Sequence, residues 1–115
     1  MPTSKYSQID TKPLPSNIMD LRDDAFYNLI RQISGKRVAE LLAFQECNGV
    51  ESFLGCKDVT AILQLKSDQL TDLKKHMCIT LSDGTVALLP GLESSINNLI
   101  KLLKKKREEV NKQAE

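Results

Sequence analysis

The clearest hydrophobic pattern lies at the end of the chain, where Leu92, Ile96, Leu99 and Leu103 recur at intervals of four, three and four residues. That spacing puts them on one face of a helix. Ile100 and Leu102 widen the stripe, and Val110 extends it on the far side of Lys106. Pro90-Gly91 ends the preceding element and opens the helix. From Leu92 to Lys112 it spans ~30 Å at ~1.5 Å per residue, against a radius of gyration of ~13 Å for a compact domain of about 100 residues. The pattern predicts a helix that closes the core through Leu103 and a basic tail, residues 104–115, that projects past it. A seam for a partner helix is the sharper reading, but the row is shorter than the three to four heptads a coiled coil shows.

Further upstream the apolar pieces are shorter. Met1 to Asn17 sets Pro2, Pro13 and Pro15 among polar residues, offers no face to bury, and is expected to be a disordered leader. Asp20 is the expected N-cap of a first helix, with Asp23 and Asp24 in its first turn, where the helix dipole favours negative charge. Leu21, Ala25, Leu29 and Ile33, flanked by Phe26 and Ile30, form its apolar face, and Ser34-Gly35 stops it. A second helix follows over Lys36 to Glu46, with Asn48-Gly49 as its stop signal. Val50, Phe53 and Leu54 suit one or two turns. Asp58 caps a piece carrying Val59, Ile62, Leu63 and Leu65, and Ser67 caps Asp68 to Met77 with Leu70, Leu73 and Met77 inward. Helices this short need one another's faces.

Cys78 to Leu89 changes period. Asp83-Gly84 suits a two-residue type I′ turn, since both positions tolerate positive φ. Folding there pairs Leu81 with Val86 and Ile79 with Leu88 on one apolar face. A lone hairpin is marginal in water, so that face is expected under the last helix. The fold class is mainly α: a small compact bundle of five or six short helices with one β-hairpin, about Cys78–Leu89, and a long C-terminal helix. Residues 18–103 form the single domain.

Composition narrows the partners. A net charge of +1 over 115 residues provides no whole-chain field for nucleic acid or an anionic membrane. No apolar run approaches the ~18 residues of a membrane span. The first sixteen residues lack a secretory layout, and Cys47, Cys56 and Cys78 make no even disulfide framework. These features point to an intracellular location, cytoplasm or nucleus.

Chemistry is sparse. His76 is the only histidine, with no nucleophile and base around it. Asp23-Asp24 and Glu108-Glu109 are adjacent, so their side chains diverge on a helix. No glycine-rich phosphate loop occurs. His76-x-Cys78 has the right ligand types for zinc, but with Cys47 and Cys56 the spacing fits no zinc pattern. We therefore expect no enzyme, no cofactor and no metal. Lys101, Lys104, Lys105, Lys106, Arg107 and Lys112 could neutralise phosphates. Yet Glu108 and Glu109 offset them, lysine outnumbers the arginine that bidentate base readout favours, and cations at a helix C-terminus also complement its dipole.

Ser67-Asp68-Gln69-Leu70 with Leu73 and Ile79, then Gly91-Leu92 leading to Ile96 and Leu99, make Val50 to Leu103 similar to a sterile alpha motif domain. The similarity covers about half of the chain, and the Asp83-Gly84 hairpin departs from that all-helical pattern. The resemblance implies protein interaction or self-association. The residues lean the same way, to a non-catalytic protein–protein interaction domain acting as an adaptor or by oligomerisation, a homodimer included. Leu99, Leu103, Lys104, Lys105, Arg107 and Val110 are its candidate binding residues. The alternative is a small DNA- or RNA-binding domain that meets phosphates through the same basic helix.

Overall fold

A computed structural model describes residues 9–114. Five helices and one hairpin build the bundle: α1 (Asp23–Ser34), α2 (Lys36–Phe44), α3 (Val50–Gly55), α4 (Thr71–Met77), β1 (Cys78–Thr80), β2 (Val86–Leu88) and α5 (Pro90–Ala114). Short 3₁₀ turns at Ile18–Asp20, Ala61–Gln64 and Asp68–Leu70 join them. The mainly helical class, the hairpin and the long last helix are as the sequence predicts. At 25 residues α5 runs ~37 Å, which stretches the molecule to 51 × 34 × 22 Å and its radius of gyration to 15.5 Å.

α1 and α2 pack against each other across a single-residue link at Gly35, whose φ of +94° belongs to the region glycine enters without strain. They meet α5 and α4 through Phe26, Ile30, Val38, Leu41 and Leu42, all fully buried. The buried row of α1 is thus Phe26–Ile30, while Ala25 and Ile33 of the expected stripe are exposed. Asp20 does not cap α1. It ends the 3₁₀ turn, and Asp23 is held instead by the link between α2 and α3: its amide donates to the Asn48 carbonyl at 2.9 Å, and Asn48 Nδ2 donates to Asp23 Oδ1 at 3.2 Å. Leu70, Leu73 and Met77 are buried, and Ser67 Oγ accepts from the Gln69 amide at 3.2 Å, as the pattern requires.

The stop of α2 differs from expectation. Cys47 N–H donates to Leu42 C=O at 2.9 Å and Glu46 N–H to Ala43 C=O at 3.2 Å, a Schellman closure that places Glu46 at φ +60°. Asn48-Gly49 serve the next helix. There Gly49 N–H donates to Ser52 Oγ at 3.0 Å, one half of a capping box.

The hairpin is shifted by one residue from the expected register. Cys78 pairs with Leu88, Ile79 with Ala87 and Thr80 with Val86. Leu81 N–H donates to Thr85 C=O at 2.7 Å and Gly84 N–H to Leu81 C=O at 2.9 Å, with Gly84 at φ +89°. This is the three-residue loop built on a type I turn, with glycine in the left-handed position. Asp83 Oδ1 fixes it by accepting from Thr85 N at 3.0 Å and Thr85 Oγ1 at 2.6 Å. A one-residue slip exchanges faces. Cys78 and Leu88 now pack on the core, while Ile79 and Leu81 stand 54% and 46% exposed. The closing helix does not cover them.

The ends of the chain also depart from the simple picture. Leu14 belongs to the core, and Thr11 Oγ1 donates to Glu109 Oε1 at 2.6 Å. The leader does bury a face, at least over residues 9–17; its part from Met1 to Gln8 lies outside the described residues. Nor does α5 leave the body at Lys104. Arg107 sits 3.6 Å from Glu51 of α3, and Lys104 to Arg107, Glu109 and Val110 are only partly exposed.

Glu46 holds a left-handed conformation that costs a non-glycine residue about 1 kcal/mol. Glu46→Gly should therefore raise unfolding stability by about 0.5–1 kcal/mol in urea denaturation, while Glu46→Ala should leave it unimproved.

Candidate functional site

Leu99 and Leu103, nominated as binding residues, are 1% and 0% exposed and belong to the core. A side chain buried by its own domain is unavailable to a partner, so neither can form a docking surface. Val110 continues the same row and is half-buried. Arg107 is engaged by Glu51. Lys105, with Lys101 and Lys112, falls on the side of α5 away from Leu99 and Leu103, by the 3.6-residue period. Lys104 alone of the six lines the larger concavity, while Leu99 borders a smaller one.

The larger concavity is a groove of about 500 Å³ between α3, the connection Cys56–Thr60, and one flank of α5. Leu54, Leu88 and Ile100, partly exposed, supply its accessible apolar surface over the buried Phe53, Val59 and Ile96, and Lys57, Asp58, Glu93, Asn97 and Lys104 its polar margin. Each wall is pinned from outside. Gln45 Nε2 donates to Val59 C=O at 2.7 Å and Leu41 C=O at 3.2 Å, holding the connection to the end of α2. Asp58 Oδ1 accepts from Thr60 Oγ1 at 2.7 Å and Thr60 N at 2.9 Å. These bonds, the Thr60 hydroxyl first, hold the Asp58 carboxyl below the ordinary aspartate range. The Arg107–Glu51 pair joins α3 to α5 beyond the groove. A second, smaller hollow of about 140 Å³ lies at Ile33, Ser95, Asn98, Leu99 and Leu102.

The cysteines are free. Burial first, then the neighbouring Cys56 thiol, pushes Cys47 up to about 11. Burial also raises Cys78, against a smaller lowering by Lys74. Thiols shifted this way are poor nucleophiles and poor ligands at neutral pH. Among the described residues no three His, Cys, Asp or Glu side chains gather as a metal would require. No helix among them is long and apolar enough to cross a membrane.

Comparison with known proteins adds no further constraint. No family model, no curated protein and no solved structure matches this chain. The sterile alpha motif resemblance therefore rests on the quoted residues alone, and the hairpin between α4 and α5 sets this topology apart from it.

Sequence reasoning missed the groove because its walls come from residues about forty positions apart with no shared motif. The one local signal was Asp58-Val59-Thr60, an aspartate followed two residues later by a hydroxyl that it can bind.

Cys47 gives a pH signature. Its folded-state ionisation at about 11 lies above the ~8.5 of an unfolded cysteine. Stability should therefore be unaffected by this thiol below ~8.5 and should fall as pH rises toward about 11. In denaturation curves over that range Cys47→Ala should remove this part of the alkaline loss. With an aromatic disulfide reagent at pH 8, Cys47 should react more slowly than Cys56 or Cys78.

Proposed function

We propose that this chain is a non-catalytic protein-interaction domain, and that the groove between α3 and α5 docks a segment of another protein. The observation that carries this reading is a surface concavity with a small apolar floor at Leu54, Leu88 and Ile100, a polar margin, and walls braced from behind. Exposed apolar surface costs a folded protein free energy at ~25 cal/mol per Å², and the same term returns when a partner covers it. The volume falls within the ~300–1,000 Å³ of ligand-binding clefts. Groove recognition of an amphipathic segment needs such an apolar floor with a polar margin.

Self-association through the α5 row has lost its main residues to the core. Ile79 and Leu81 on the hairpin are the exposed apolar pair that a second copy could still use.

Nucleic acid keeps one specific point in its favour. Among the described residues, Arg107 is the only cation between 101 and 112 with a carboxylate within 4 Å. Against it, the groove presents one aromatic ring, Phe53, which is 2% exposed and gives a base nothing to stack on.

The test is selection of a displayed random 12-residue peptide library on the intact domain, with Asn97→Trp as the blocking variant. Asn97 is exposed at the groove margin, so a large side chain there fills the groove without entering the core. Enriched peptides should lose binding at least roughly tenfold to Asn97→Trp and keep it in Ile79→Ser/Leu81→Ser. Peptides indifferent to Asn97→Trp, or none enriched, would count against the groove. Retention on duplex or single-stranded nucleic acid at low salt, falling steeply as salt rises, would favour the second reading.

A further inference from the structure

We infer that β1 is a self-association edge: two copies of the chain pair β1 against β1 about a two-fold axis at Thr80, joining their hairpins into one four-stranded antiparallel sheet.

The hydrogen-bond register shows which backbone groups are left over. Leu81 N–H donates to Thr85 C=O at 2.7 Å, and Leu89 N–H donates to Met77 C=O at 2.9 Å. Alternate residues of an antiparallel strand bond toward the same neighbour, so Met77, Ile79 and Leu81 face β2 while Cys78 and Thr80 face away from it. The Cys78 amide is taken by the Lys74 carbonyl at the end of α4. Among the described residues nothing pairs with the Thr80 N–H, the Thr80 C=O or the Cys78 C=O, and Ile79 to Ser82 are exposed. The outer edge of β2 is not equivalent. Its Val86 C=O accepts from Gln64 Nε2 at 3.5 Å, the Ala61–Gln64 turn lies against it, and Val86 to Leu88 are half-buried. One open edge per molecule closes at a dimer, whereas two would build a ladder.

Folded chains ordinarily blunt an open edge with a lysine, a proline or an inward charge. From Cys78 to Ser82 the sequence has none of these, and only the shortness of β1 guards it. What a second copy brings matches what the edge lacks. With the axis at Thr80, each Thr80 amide meets the other copy's Thr80 carbonyl. Ile79 of each copy then stands opposite the other copy's Leu81, on the face where these side chains are 54% and 46% exposed. Two apolar cross-strand pairs form at once, the unit by which sheets are stabilised. Charge agrees with the same register. Asp83 of each turn falls level with the last turn of the other copy's α4, which carries Lys74, Lys75 and His76. The Thr85 hydroxyl and amide hold the Asp83 carboxyl below the ordinary aspartate range, and Lys75 has no carboxylate within 4 Å among the described residues. Opposite charges therefore meet at both ends of the paired strands.

Sedimentation equilibrium from ~20 µM to ~2 mM should show the mass rising from monomer toward dimer, as expected of a contact below ~1,200 Å². Over the same range the Thr80 amide of the unaltered protein should exchange more slowly as concentration rises. Ile79→Lys/Leu81→Lys and Ile79→Glu/Leu81→Glu should each weaken the dimer at least about tenfold, because like charges then face each other across the axis. Mixing the two variants should restore it, since every introduced lysine then faces an introduced glutamate. Asn97→Trp, in the groove, should leave the dimer unchanged, so this inference and the docking groove fail separately. A monomer throughout the range overturns the inference. So does a dimer indifferent to both double variants, a mixture that stays monomeric, or a dimer lost in Asn97→Trp.

Discussion

The structure depends on burying one row of α5, Ile96–Leu99–Leu103, against α1, α2 and α3. Three of the other helices are too short to stand alone: α2 has nine residues, α4 seven and α3 six, all below the ~12–15 under which isolated helices are marginal. α5 gives them a common wall. Each fully buried leucine or isoleucine contributes about 1.5–3 kcal/mol, on the scale of the whole margin by which small domains stay folded. That burial also decides what α5 can do for others. Residues committed to the interior at 0–2% exposure are spent on folding, so recognition must come from the helix's flanks.

The flank toward α3 follows from the same geometry. Ile100, Asn97 and Lys104 lie roughly a quarter to a third of a turn from the buried row, by the 3.6-residue period. They are held in place because Ile96, Leu99 and Leu103 are. α3 is fixed in turn by Phe53 in the core and by Glu51 against Arg107, and the connection after it by Gln45 and by the Asp58–Thr60 turn. The groove is thus a by-product of how α5 closes the core, with both walls rigid before any ligand arrives. Preorganised surfaces lose less conformational freedom on binding.

What was legible in the sequence follows how local the determining physics is. Helix existence, the Ser67 cap and the Leu70–Leu73–Met77 row were readable because they depend on neighbours three or four residues away. The hairpin was readable as a hairpin but not in register. Asp-Gly suits both a two-residue loop and a three-residue loop ending in a left-handed glycine; the Asp83–Thr85 bonds and the packing of Leu88 and Cys78 accompany the latter. Ile79 and Leu81, the strongest apolar pair in that stretch, ended outside as a result. Leu14 carried no periodicity, and its burial depends on a wall that only the folded chain provides. The groove drew on residues far apart in sequence. Of the six residues nominated for binding, Lys104 alone reached it, because nothing in a charge run says which lysine faces a hollow.

The most direct test of this account is native-state hydrogen exchange along α5. If its buried row is what the bundle depends on, amides from Ile96 to Leu103 should exchange only through global unfolding, with the same free energy as those of Phe26 to Ile30 and Val38 to Leu42. Exchange of the α5 amides through a local opening, at clearly lower free energy while α1 and α2 stay protected, would contradict it.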